Sequence, residues 1–387
     1  MIRRTRKWDH IGTSIFSVMT QKAQAAQAIN LAQGFPDFDG PVEIKEAAIA
    51  AIRSGHNQYA PAFGIPALRA SLARHQLTRT GLTYDPDSEV TVFSGATEAI
   101  YSALQAILEA GDEIIALEPF YDSYPAAAYA AGARLVGVPL TSDWRLDQKA
   151  LERAVTPQTK AMIINTPHNP SGTVLTEAEM DVVRAVALRH NLLVIMDEVY
   201  EELVYAPHRH GSMAALPGMR ERTITISSTS KTFSFTGWKV GYAFAPPELT
   251  RMLRAVHQFT VFCSATPLQY GMLAAFDLAQ DYYDELRADY LTKRDLLVSA
   301  LKDAGFRCHA PAGTYFVVAD YRDLSDLDDV SFCDWLIREI KVAAVPLSAF
   351  YSDQQKASRE VGHVRFAFCK GLPTLEEAAS RLKDCRR

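Results

Sequence analysis

Six short runs constrain this chain more than any other feature. Most are apolar through the middle, and small, polar or turn residues bound them. They span residues 90–93 (VTVF), 112–119 (DEIIALEP), 133–140 (ARLVGVPL), 160–167 (KAMIINTP), 192–200 (LLVIMDEVY) and 222–228 (RTITISS). A strand with one wet face alternates apolar and polar residues, whereas a run without alternation is buried on both faces. Such strands need helices on either side, and the intervening segments supply them. Ile100, Leu104, Ile107 and Leu108 recur at helical spacing after the first run. Residues 176–190 form another helix, opened by a capping box of Thr176 with Glu179 three positions on. The fold class is therefore α/β, with a mostly parallel central sheet flanked by helices.

The last part of the chain reads differently. Residues 313–321 (GTYFVVADY) and 362–369 (GHVRFAFC) are strands of a smaller α+β unit, with a helix at 331–339 between them. The pattern divides the chain into a large domain, 46–284, and a small domain, 1–45 plus 285–387. A long helix within 282–305 joins the two. Charge excludes a nucleic-acid partner: 40 basic against 45 acidic residues leave −5, without a basic block beyond residues 3–7, a solvated tail. No apolar run approaches a membrane span, and the first residues lack the apolar core of a signal peptide. Five scattered cysteines without a CxxC pair read as reduced thiols of a cytoplasmic protein, and no metal site is expected.

In an open parallel sheet, ligands bind at the carboxyl ends of the strands. After the first run come Ser94, Gly95, Ala96 and Thr97, small residues that expose backbone N–H groups where a helix opens, as a phosphate requires. Many ordinary helices open in the same way. After the fourth run, Asn169 sits in an Asn-Pro turn. After the fifth comes Asp197, either a helix cap or a paired functional carboxylate, with Tyr200 three residues on. After the sixth come Ser228 and Lys231, a lysine far from any acidic residue in sequence. Among small and aromatic neighbours its ammonium is destabilised, the condition for a Schiff base with an aldehyde. Taken together these groups ask for one ligand, with a phosphate, a ring nitrogen, a phenolic oxygen and an aldehyde. That ligand is pyridoxal 5′-phosphate.

Seven segments, INLAQGFPDFDGP, NQYAPAFGIPALR, EPFYDSY, NTPHNPSG, DEVYEELVY, SKTFSFTGWKVGY and VAAVPLSAFY, carry a resemblance over nearly the whole chain. The chain resembles the fold-type I, aspartate aminotransferase-like, pyridoxal-phosphate aminotransferases of class I. Within them it is similar to the glutamine transaminase K/kynurenine aminotransferase branch, and especially to bacterial methionine aminotransferases. The resemblance implies that Lys231 anchors the cofactor and moves protons. Asp197 pairs with the ring nitrogen, Tyr200 and Asn169 contact the ring oxygen, and Tyr121 stacks on the ring. Gly95, Ala96, Thr97, Ser228 and Lys239 hold the phosphate, with Tyr59 reaching in from the partner of a homodimer. Lys239 departs from aspartate aminotransferases, which carry arginine there, and agrees with the glutamine transaminase K branch. Arg365, an arginine inside an apolar strand, grips the substrate α-carboxylate with Asn169 and the Gly34 backbone; a structural ion pair is the alternative. Ile15 and Phe16, in the segment IGTSIFSVM, line an apolar side-chain pocket together with Tyr59. No second arginine is placed for a dicarboxylate, so methionine is the favoured donor, with aromatic amino acids, glutamine and kynurenine as competitors and a 2-oxo acid as acceptor. Two other activities fit the same pattern: a cysteine-conjugate carbon–sulfur β-lyase and, more remotely, an effector-binding module. His168 and Cys263 are read as structural.

Overall fold

The computed structural model describes Trp8, residues 12–352 and residues 362–386. The basic run at 3–7 lies outside the described residues. Strand β1 (Ile29–Asn30) precedes the strands of the central sheet. These are β2 (Val90–Phe93), β3 (Glu113–Glu118), β4 (Arg134–Pro139), β5 (Thr159–Asn165), β6 (Leu193–Asp197), β7 (Thr223–Ser228) and β8 (Gly241–Phe244). Their order across the sheet is β2-β8-β7-β6-β5-β3-β4. Neighbours are parallel from β7 to β4, and β8 runs antiparallel to both β2 and β7. All six expected strands form. The sequence reading missed β8, whose four residues follow a turn too closely to stand out as a run of their own.

Alternate residues explain why the runs are continuous. Ile163 and Ile195 enter one core with Phe93, Ile100 and Leu104. Their neighbours Met162, Ile164, Val194 and Met196 enter another, with Val183 and Val186 of the helix Glu177–Arg189. Both faces are dry, as non-alternating strands require. That helix opens with the expected capping box, Thr176 and Glu179 each satisfying the other's backbone N–H.

The second sheet is antiparallel. It contains β9 (Arg307–Cys308) and β10 (Phe316–Asp320), then, beyond β11 (Val342–Ala343), β12 (Val345–Pro346) and β13 (His363–Ala367), in the order β12-β13-β10-β9. The N-terminal segment attaches here: β1 pairs in parallel with β11. Met19, Ala23 and Leu31 share a core with Leu297, Phe332, Phe366 and Leu375. The 24-residue helix Gln280–Asp303 is a single piece. The expected helix at 331–339 begins as Asp329–Trp335 and continues as a wider π-turn, Leu336–Ile340. All five cysteines are free, and four of them are buried. No described helix is long and apolar enough to cross a membrane.

Candidate active site

A cavity of about 340 Å³ opens at the carboxyl ends of β5, β6 and β7. It is lined by Asn165, Asp197 and Ser228 from those ends, by Gly95, Ala96 and Thr97 after β2, and by Lys231, Lys239 and Arg365. A larger recess of about 810 Å³ lies elsewhere, around Trp144, Arg307 and His363. The smaller cavity is the chemical one, because it gathers the strand-end residues and the larger recess contains none of them.

Asp197 is the last residue of β6 and only 4 % exposed. Tyr124 donates its hydroxyl proton to Oδ2 at 2.5 Å, and the Val199 N–H approaches Oδ1 at 3.4 Å. Burial pushes the carboxyl up to about 6, against the lowering effect of Tyr124. Lys231 lies in the short helix Thr229–Thr232, capped by Ser228, whose Oγ accepts from the Ser230 N–H. By accessible area Lys231 is only half-buried, because its side chain opens on the cavity. Protein nevertheless surrounds it, and burial, helped by Lys239 and Arg365, brings its ammonium down to about 8. The ammonium faces the rings of Tyr200 and Tyr315 at 5.8 and 5.9 Å.

The turn between β2 and the helix Ala96–Ile107 is shaped by two glycines. Gly95 has φ +85, and a Cβ there would meet Lys239 Nζ at 3.0 Å. A Cβ on Gly241 of β8 would meet the Ala96 backbone nitrogen at 2.5 Å. The first glycine admits the lysine to the helix N-terminus and the second lets β8 pass close beneath it. The result is a cationic cradle of backbone N–H groups.

Arg365, in the middle of β13, is 1 % exposed. Its partners are neutral. Nη1 donates to Asn169 Oδ1 at 2.7 Å and Nη2 to the Ala32 carbonyl at 2.9 Å, while Nε, also buried, is unpartnered. The guanidinium lies over Phe316 at 3.9 Å, with Phe350 at 4.9 Å and Phe16 at 5.1 Å. A buried cation whose direct contacts among the described residues are dipoles and ring faces is adapted to an incoming anion. Burial lowers its pKa to about 10.

Gly34, Tyr121, Tyr200 and Phe16 all line the cavity, and Phe16 and Tyr121 are 6.4 Å apart. Ile15 does not line it. It packs against the core shared by the N-terminal segment and the small sheet. Tyr59 is 83 % exposed and packs edge-on against Phe262, outside its own chain's cavity. His168 is buried against Ser171 at 2.7 Å, and burial lowers its pKa to about 4. Cys263 packs against the core of Val92 and Phe235. The sequence reading missed Tyr124, Gln33 and Asn165. Asn165 accepts from the Asn169 N–H at 2.7 Å and donates to the Asp197 carbonyl at 2.8 Å, tying the two loops together. The only sequence signal for it is a polar residue closing an apolar strand.

Known proteins place this arrangement. The family model for aminotransferase class I and II matches residues 26–382. A probable N-succinyldiaminopimelate aminotransferase of Mycobacterium tuberculosis is 44 % identical, over 96 % of this chain and 95 % of that protein. The methionine aminotransferase of Escherichia coli is 40 % identical, over 98 % of this chain and 97 % of that protein. The solved structure of N-succinyldiaminopimelate aminotransferase from M. tuberculosis superposes with a TM-score of 0.96 at 43 % identity, covering 99 % of this chain and all, 100 %, of that one. The chain belongs to the class I and II aminotransferases, and is a pyridoxal 5′-phosphate-dependent enzyme that moves amino groups between amino acids and 2-oxo acids. Its residues fit that cofactor: a buried carboxylate, an amine with a depressed pKa and a cationic cradle face one cavity.

Proposed function

We propose that in this aminotransferase Lys231 is the covalent anchor of the cofactor and that the preferred donor is an L-amino acid with an uncharged, unbranched side chain, methionine foremost. Asp197 is assigned to the ring nitrogen, Asn169 and Tyr200 to the ring oxygen, and Tyr121 to the ring face. Gly95, Ala96, Thr97, Ser228 and Lys239 are assigned to the phosphate. When bound, pyridoxal phosphate supplies an aldehyde that takes up amino groups and a ring that accepts the electrons of the Cα–H bond. Arg365 and Asn169 clamp the α-carboxylate, with the Gly34 backbone beside them, and so turn Cα–H toward Lys231. The lowered pKa of Lys231, about 8, makes its neutral amine accessible near neutral pH, and in that form it would take the Cα proton on Nζ. In the reverse half-reaction it returns a proton to Cα of the incoming oxo acid. Asp197 stays ionised to hold the ring proton, and Tyr200 and the aromatic wall exclude water.

The observation that carries the substrate reading is the accounting of charge. The cations among the described lining residues are Lys231, Lys239 and Arg365, and each already has a role. None remains within the same chain for a side-chain carboxylate, which weighs against aspartate and against a succinylated substrate like that in the name of the M. tuberculosis relative. Phe16 offers an apolar contact suited to a thioether. We also propose a cytoplasmic homodimer that covers the exposed aromatics Tyr59, Phe259 and Phe262 and delivers Tyr59 to the partner's cavity. Within each subunit, residues 46–284 and the remaining segments would act as the large and small domains.

The test is a panel of amino donors, read by cofactor absorbance in single half-reactions. It includes methionine, glutamine, phenylalanine, kynurenine, aspartate and N-succinyl-diaminopimelate. Methionine is expected to exceed aspartate in kcat/KM by about 100-fold, as expected when a charged group meets an uncharged pocket. Preference for aspartate or the succinylated donor would overturn the side-chain reading. Pyruvate and ammonia released from a cysteine conjugate without an oxo acid would add β-lyase activity.

A further inference from the structure

We propose that Tyr124 is a positioning residue for the reaction, acting through Asp197: its hydroxyl fixes the carboxylate plane and keeps the carboxylate the weaker base, so that the shared proton stays on the cofactor's ring nitrogen. This rests on the assignment of Asp197 to that nitrogen. Three observations carry it. The hydroxyl donates to Asp197 Oδ2 at 2.5 Å, and the ring is 2 % exposed, so water does not compete for the contact. Oδ1 faces the Val199 N–H at 3.4 Å, so donors approach both oxygens from the protein side. The geometry also places Tyr124 on the same turn as a second cavity residue. Tyr121 just precedes the helix Ser123–Ala130, Tyr124 is its second residue, and the two rings meet edge-on at 5.9 Å. One helix start therefore sets both an aromatic wall of the cavity and the orientation of the carboxylate.

The chemistry follows from the direction of the hydrogen bond. A donor to a carboxylate stabilises the charged form and lowers its affinity for a further proton. Asp197 is buried beside Glu198, and both raise that affinity. Without the tyrosine hydroxyl, the proton shared between Asp197 and the ring nitrogen moves toward the carboxylate. The ring is then a weaker electron acceptor, and the enzyme loses rate without losing its grip on the α-carboxylate, which Arg365 and Asn169 supply independently.

The experiment uses holoenzyme loaded with cofactor labelled with ¹⁵N at the ring nitrogen. The ¹⁵N chemical shift is compared in wild type, Tyr124→Phe and Asp197→Asn. Wild type is expected to give the shift of a protonated ring, and Tyr124→Phe a shift moved toward the unprotonated value. In Tyr124→Phe, kcat should also fall by about 10-fold with KM for the amino donor nearly unchanged, the scale of one hydrogen bond to a charged group. A wild-type shift in Tyr124→Phe together with a changed shift in Asp197→Asn would overturn the role of Tyr124 and leave the Asp197 assignment standing. An unchanged shift in Asp197→Asn would overturn that assignment and the inference with it. If the phenylalanine variant does not fold, Tyr124→His, which keeps a donor, carries the comparison. It is expected to retain the protonated ring, and a deprotonated ring in it would overturn the role.

Discussion

The segment that leaves β6 has two faces, and they treat charge in opposite ways. Asp197 and Tyr200 face the cavity, whereas Glu198, Glu201 and Glu202, interleaved with them, face away. On the rear face Glu201 and Glu202 are paired. Glu201 accepts from Arg79 at 2.9 Å, Ser227 at 2.9 Å and Tyr242 at 3.0 Å. Arg79 also reaches Glu202 at 3.0 Å, whereas Glu198, 3.0 Å from His210, has no hydrogen-bond partner for either oxygen among the described residues. Burial alone would raise Glu202, but His75 and Arg79 hold it below the usual carboxylate range. On the cavity face, burial wins: Asp197 is raised and Lys231 lowered. Burial alone does not make a reactive group. Glu201 and Glu202 spend their charge within the protein, whereas the cavity groups keep theirs for a ligand.

Substitutions on the two faces should therefore fail in different ways. The largest effect is expected from Arg365→Ala on the cavity side. Removing a buried clamp on a carboxylate should cut kcat/KM for the amino donor by about 1000-fold, mainly through KM, while folding stability holds. Unchanged steady-state kinetics would remove Arg365 from the site. On the rear face, Arg79→Ala should do the reverse. It strands Glu201 and Glu202 without their shared cation, so urea denaturation should reveal a loss of about 3 kcal/mol. A stable variant with impaired substrate binding would erase the distinction between the faces.

The smallest effect has the opposite sign. With cofactor absent, Asp197→Asn should stabilise the protein at pH 7. The folded-state pKa of Asp197, about 6, exceeds its ordinary value of 3.8. Its favourable contribution is thus complete below about pH 4 and is lost as pH rises through about 6. The variant escapes that loss, by an amount on the order of 2 kcal/mol above pH 6 and little near pH 4. Stability curves that stay parallel across this range would show that the buried carboxylate is not strained in the way described.

How much of this was legible in the sequence depends on what fixes each residue. Asp197, Asn169, Ser228 and Lys231 follow apolar strands directly, so local patterning alone brings them to one edge of the sheet. Arg365 stood out because a cation inside an apolar run has to be explained. Tyr124 and Asn165 did not stand out, because what makes them part of the site is a neighbour distant in the chain; Tyr124 meets Asp197 across 73 positions and Asn165 meets it across 32. Phe16 and Ile15 differ by one residue at the very start of the helix Ile15–Ala25. Phe16 turns toward the cavity, where it packs against Phe350 and Arg365, and no local pattern records those contacts. Strand β8 was invisible for a related reason: its antiparallel place between β2 and β7 is a tertiary fact.

Two lysines face the same cavity, and the account stands on the difference between them. Lys231 is read as the covalent anchor and Lys239 as a phosphate ligand beside Gly95. Borohydride reduction of the holoenzyme fixes the cofactor to whichever amine carries it, and peptide mass spectrometry identifies that residue. The reduced cofactor is expected on the peptide containing Lys231, with Lys239 unmodified. Cofactor found on Lys239, or on a lysine outside the cavity, would contradict it.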